Sequence, residues 1–168
     1  MARNISERKL NRLLELNKKL VLEDDFSKKI ELISSSVKDI IKADRCTIFI
    51  HDEGTQSLWS VYIDGVSFIE VPNDVGIVSE VFNTKKTMIV NDAQNSPLFN
   101  NSIDKGSGYT TKSILCVPIL GYGGVALGVM QVINKIDNDL SFNEEDEEIL
   151  NYVMSHISAF LEMMIHRG

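Results

Sequence analysis

Apolar residues at steps of three and four stand at both ends of this chain, and a stretch with strand character stands between them. That change of period limits the folds open to it more than any other feature. Phe26, Ile30, Ile33, Val37, Ile40 and Ile41 make one helical stripe, behind Asp24 or Asp25 as its cap. Ile149, Val153, Ile157, Phe160, Leu161 and Met164 make another, in a helix that starts near Asn143. A third stripe, Leu10, Leu13, Leu14, Leu20 and Val21 with Asn17 inside it, precedes them. Between the ends, RCTIFIHD and SLWSVYI are rich in β-branched and aromatic residues and are joined by DEGTQ, a hairpin connection. FIEVP is a short third strand, GIVSEVFNTKK a short helix and TMIVND a return to strand. SILCVPIL and GVALGVMQVIN, joined by GYG, are two long strands. The stretch AQNSPLFNNSIDKGSGYTTK is long, polar and glycine-containing, the kind of connection that binds or covers something.

This order predicts an α+β fold: an antiparallel sheet with the terminal helices on one face and a ligand pocket on the other, under the short helix and the long loop. The 168 residues suffice for one domain with a real core, and 43% hydrophobic with 24% charged residues is a globular composition. No apolar run approaches the roughly 20 residues of a membrane span, and the polar start MARNISERK lacks a signal-peptide centre, so the expected setting is cytoplasmic with no membrane partner. A net charge of -7 without a basic patch argues against nucleic acid as a partner. Cys46 and Cys116 lie in apolar stretches without CxxC or Cys/His spacing, so both read as buried thiols. His51, His156 and His166 lack metal spacing and read as surface residues; no metal or cofactor is expected.

Near the end of the last long strand stand Asn134 and Lys135, followed by Phe142 and, four and five residues on, Asp146 and Glu147. Charges flanking a loop are usually solvated, and an exposed pair contributes only about 0 to 1 kcal/mol. Asn143, however, can cap the last helix with Asp146 in its first turn, where a carboxylate is favoured, and a lysine at the strand end can reach it. The pattern Asn-Lys, gap, Phe, three residues, Asp-Glu resembles the signature of GAF domains in cyclic-nucleotide phosphodiesterases and their cyanobacterial cyclase relatives. PLFNNSIDKGSGYTTKSILCVPI and VPNDVGIVSEV are similar to further stretches of the same family. The resemblance covers about residues 24 to 162. It implies a GAF domain there, a linker or dimerisation helix over 1–23, and over 163–168 the end of the last helix leading toward a further domain. It also implies that Lys135 and Asp146 form a structural clasp, with Asn134, Phe142 and Glu147, that does not touch the ligand.

The same resemblance implies a pocket for a small molecule, cAMP or cGMP. Thr47 matches a hydroxyl that faces the purine, and a hydroxyl tolerates either base edge. Asp64 matches an acidic residue beside the base, although Asp64-Gly65 is equally a turn signal. Ile77 and Val78 fall where backbone N–H groups at a helix start meet the cyclic phosphate. Thr111 matches a loop threonine that contacts the ligand, with Asp104 and Ser107 in the same loop. Three positions depart from the phosphodiesterase pattern: Ile63 replaces an aromatic that packs on the base, Asn100 a tyrosine near the phosphate, and Gln131 a glutamate at the far end of the pocket.

The expected function is a regulatory sensor rather than an enzyme, transmitting occupancy through the terminal helices. A ligand-free dimerisation module is the alternative. A methionine sulfoxide reductase built on Cys46 and Cys116 conflicts with their apolar settings, because a reactive thiol needs an electropositive, partly exposed site. Leu10, Leu13, Leu20 and Val21, continued by Phe160, Leu161 and Met164, form a stripe surplus to one sheet face and are expected to meet the same stripe of a second subunit, with Asn17 fixing register. The other course is for the first helix to fold back on its own domain.

Overall fold

A computed structural model describes residues 5–63, 69–101, 104–105 and 108–165, and for residues 62, 63, 164 and 165 the backbone alone. Among the described residues the main elements follow in the order α1 (Glu7–Leu22), α2 (Phe26–Ile41), β1 (Ala43–Asp52), β2 (Ser57–Ile63), β3 (Glu70–Pro72), α3 (Gly76–Thr84), β4 (Met88–Val90), β5 (Ile114–Leu120), β6 (Ala126–Lys135) and α4 (Glu144–Ile165). The strands form one antiparallel sheet in the order β3-β2-β1-β6-β5-β4. The third strand is shorter than FIEVP, and α3 stops at Thr84 because Lys85 turns left-handed.

Strand alternation divides the sheet into two cores. Cys46 and Ile48 of β1, Leu115, Val117 and Ile119 of β5, and Met130 and Val132 of β6 point to one face and pack against α1, α2 and α4. Phe49, Leu58, Ile114, Cys116 and Val129 point to the other, where Ile77, Val78 and Val81 of α3 and Ala93 cover them. Gly128 lets β1 and β6 approach closely, for a Cβ there would sit 2.0 Å from the Phe49 carbonyl oxygen.

The N-terminal stripe behaves differently from the expectation of a surplus seam. Leu13, Leu16 and Leu20 are buried in the same core as α2 and α4, as is Leu161. Arg12 pairs with Asp39 of α2, and Lys9 with Glu145 of α4 at 2.6 Å. The helix therefore folds back on its own domain, because the α2–α4 layer leaves a furrow that a third amphipathic helix fills. Only Val21 and Leu22, 73% and 83% exposed, and Leu14 remain on its outer side.

The histidines also depart from expectation. His51 is not a simple surface residue: its ring stacks on Phe82 with centroids 4.5 Å apart, and its Nε2 is buried. His156 is half-buried against Tyr152, and burial lowers its pKa. His166 and the side chain of Met164 lie outside the described residues.

Candidate functional site

A cavity of about 90 Å³ lies between the sheet and α3, on the face opposite the terminal helices. Its floor is set by register. Thr47 of β1 stands beside Gln131 of β6, which stands beside Cys116 of β5, and Arg45 precedes Thr47 on the same face of β1. Arg45, Thr47, Phe49, Gln131, Ile114 and Ile133 line this side. The roof is residues 75–78 with Phe99, Asn100, Asp104, Tyr109 and Thr111.

The roof enters the pocket as a helix N-terminus without a side-chain cap. Val75 is the N-cap residue and makes no capping hydrogen bond, so the first N–H groups of α3 stay available to an anion. Gly76 opens the helix at φ +93°, a backbone that favours glycine, and a Cβ there would lie 3.3 Å from Asn100 Cβ. The buried Ser79 hydroxyl donates to the Pro72 carbonyl and fixes α3 to β3.

Of the residues implied as ligand contacts, Thr47, Ile77, Val78, Asn100, Asp104, Thr111 and Gln131 all line this cavity. Asp64 and Ser107 lie outside the described residues, as does the Ile63 side chain. Thr111 and Asp104 are engaged with each other. The Thr111 N–H and hydroxyl donate to the two Asp104 oxygens, each at 2.8 Å, and Gln94 donates to the Thr111 carbonyl at 2.7 Å. Their first role is to brace the loop.

Nothing in the motif pattern of the sequence marks Tyr109 and Arg45 as a pair, yet they form one wall. The Arg45 guanidinium lies over the Tyr109 ring, 3.5 Å from its centroid. The Tyr109 hydroxyl donates to Asp44 at 2.5 Å and accepts from Asn134 Nδ2 at 2.7 Å. Desolvation and the Asp44 carboxylate raise its pKa, so it stays a donor. A signal for Arg45 was present: it stands two residues before Thr47, and period-two alternation puts both on one face.

Behind this wall, the Asn-Lys pair divides its work. Asn134, left-handed at φ 62°, ties down the loop: its amide donates to Thr110 O and Tyr109 and accepts from Lys112 N–H at 2.7 Å. Lys135 turns the other way and is 3% exposed. Its ammonium meets Asp146 at 3.0 Å, Asp137 at 3.0 Å and the Ile41 carbonyl at the end of α2. Asp146, fully buried, also accepts from Asn143 N–H, while its own N–H donates to Asn143 Oδ1, a reciprocal cap. Phe142 is buried in the helical core. Glu147 makes no ion pair among the described residues; the neighbouring Glu145 does, with Lys9.

The GAF domain family profile matches residues 25–161. The chain belongs to the GAF family. It is 35% identical over 151 residues to the dual 3',5'-cyclic-AMP and -GMP phosphodiesterase 11A of Takifugu rubripes, a match covering 78% of this chain and 17% of that protein. Over 81 residues it is 42% identical to a cGMP-specific 3',5'-cyclic phosphodiesterase of Drosophila mojavensis, covering 48% of this chain and 7% of the relative. The GAF chain thus spans less than a fifth of either curated relative. Its fold matches the GAF domain from an Acinetobacter phosphoenolpyruvate-protein phosphotransferase with a TM-score of 0.83 at 20% identity, over 98% of this chain and 99% of the other.

Chemistry at the cysteines is unfavourable. Cys46 and Cys116 are both fully buried and face opposite sides of the sheet, and burial raises the Cys116 pKa far from the thiolate range. Among the described residues no helix is long and apolar enough to cross a membrane.

Proposed function

We propose that this GAF domain is a non-catalytic cytoplasmic sensor that binds a cyclic nucleotide, cAMP or cGMP, and passes occupancy to its terminal helices. The observation that carries this reading is the pairing of an uncapped helix N-terminus, suited to a phosphate, with a floor that presents Thr47 and Gln131, suited to a base edge. The phosphodiesterase relatives support the ligand class. At about 90 Å³ the cavity is below the roughly 300 Å³ of small-molecule pockets, so a nucleotide must push α3 away from the sheet. That displacement is the signal. It is carried by the Tyr109–Asn134 contact to β6, and from Lys135 to the end of α2 and the start of α4.

The test is calorimetric titration and thermal melting with both nucleotides. Saturation at 100 times the dissociation constant should stabilise the fold by about 2.7 kcal/mol. A melting transition that neither nucleotide moves at millimolar concentration would leave the ligand-free module as the function. Dimerisation is part of the proposal too, seated on the outer residues Leu14, Val21, Leu22 and Met163 rather than on the buried Leu13 and Leu20.

A further inference from the structure

Building on the nucleotide reading above, we infer that Arg45 is the residue that selects the base, and that it selects guanine over adenine.

The argument starts from which polar groups of the cavity are unspent. The Asp104 oxygens are taken by Thr111, and the Tyr109 hydroxyl by Asp44 and Asn134. Among the described residues, no hydrogen bond or ion pair engages the side chains of Thr47, Gln131 or Arg45, and all three line the cavity from the sheet side. Thr47 can donate or accept, and the Gln131 amide can present either end, so neither discriminates between purines. Arg45 can only donate. It is therefore the group on the floor that penalises the wrong base edge.

Its geometry suits that task. A guanidinium stacked on an aromatic ring keeps its plane fixed while its N–H groups, which lie in that plane, stay open. The ring beneath it is itself held at its hydroxyl from two sides, by Asp44 at 2.5 Å and Asn134 at 2.7 Å. The fork is thus pre-organised and matches two adjacent acceptors. Guanine offers such a pair at O6 and N7, whereas adenine places an N6 amino donor beside N7, and a donor would face a donor. A phosphate is the other partner for such a fork, but the uncapped start of α3 supplies an anion site on the opposite wall of the cavity.

The test is titration of the full chain with cGMP, cAMP and 7-deaza-cGMP, for the natural sequence, Arg45→Gln and Arg45→Lys. The natural chain should prefer cGMP over cAMP by about 5- to 150-fold, the range of one bidentate guanine contact. Both variants should lose that preference by weakening cGMP, and Arg45→Gln, whose amide can pair with N6 and N7 of adenine, should also strengthen cAMP; Arg45→Lys keeps the charge and loses the fork. On the natural chain 7-deaza-cGMP, which lacks the N7 acceptor, should bind more weakly than cGMP, a result that does not depend on any variant folding. Equal or tighter binding of cAMP by the natural chain overturns the inference and leaves the nucleotide reading intact. Equal loss of both nucleotides in Arg45→Lys would place the fork on the phosphate and also overturn it. A folded natural chain that binds none of the three removes the nucleotide reading and this inference with it.

Discussion

The Lys135 ammonium lies 3.0 Å from the Asp146 carboxylate, with both side chains almost wholly withdrawn from water. This position turns a charge pair that would contribute little on the surface into one whose loss is severe. It also joins the last residue of β6 to the first turn of α4 and, through the Ile41 carbonyl, to the end of α2.

Removing Lys135 leaves the Asp146 carboxylate buried without its cation, and removing Asp146 leaves the buried Lys135 with only the more exposed Asp137 as a charge partner. Lys135→Ala and Asp146→Ala should each cost about 3 to 5 kcal/mol in denaturant unfolding. The double variant should cost clearly less than the two together, because the members act as one unit. Strict additivity would show that the pair does not operate as drawn.

Glu145 makes the docking of α1 depend on pH. Burial works against its carboxylate, but hydrogen bonds from Lys9 and Ser6 and the charges of Lys9 and Lys135 outweigh that and lower its pKa from 4.5. As pH falls the unfolded chain takes up this proton first, so the contribution is complete above about pH 4.5 and fades as pH drops through the lower folded value. Melting midpoints of the natural chain and Glu145→Gln should differ at neutral pH and converge in acid. A gap that does not change with pH would show that the ion pair is not what separates them.

Gly76→Ala should lower stability by about 1 to 2 kcal/mol, since an L side chain at φ +93° is strained and the new methyl group meets Asn100. Nucleotide affinity should fall with it, because the start of α3 would shift. Unchanged affinity in calorimetry would take the first N–H groups of α3 out of the binding site.

The first helix should matter twice, through different residues. Leu13→Ala, in the core, should cost about 2 to 5 kcal/mol. Val21→Glu and Leu22→Glu, on the outer side, should leave the monomer fold intact and shift light scattering from dimer to monomer. A natural chain that is already monomeric at tens of micromolar would remove the dimer.

The residue pattern by itself determined the two faces of the sheet. Alternation in β1 and β6 separates Cys46 and Ile48 from Thr47 and Phe49 whatever packs on them, because successive strand side chains must point opposite ways. The reach of Lys135 to Asp146 was legible too, since capping by Asn143 fixes where the carboxylate stands. Tertiary structure alone decided the rest. The stripe of α1 could cover its own domain or a second subunit, for an amphipathic face records that it must be buried and not against what; the furrow between α2 and α4 settled Leu13 and Leu20 inward. Likewise, the chain does not announce that Arg45, Tyr109 and Asn134 form one wall. They are brought together from two strands and a loop, and contacts between residues so far apart in sequence exist only once the sheet has set their register.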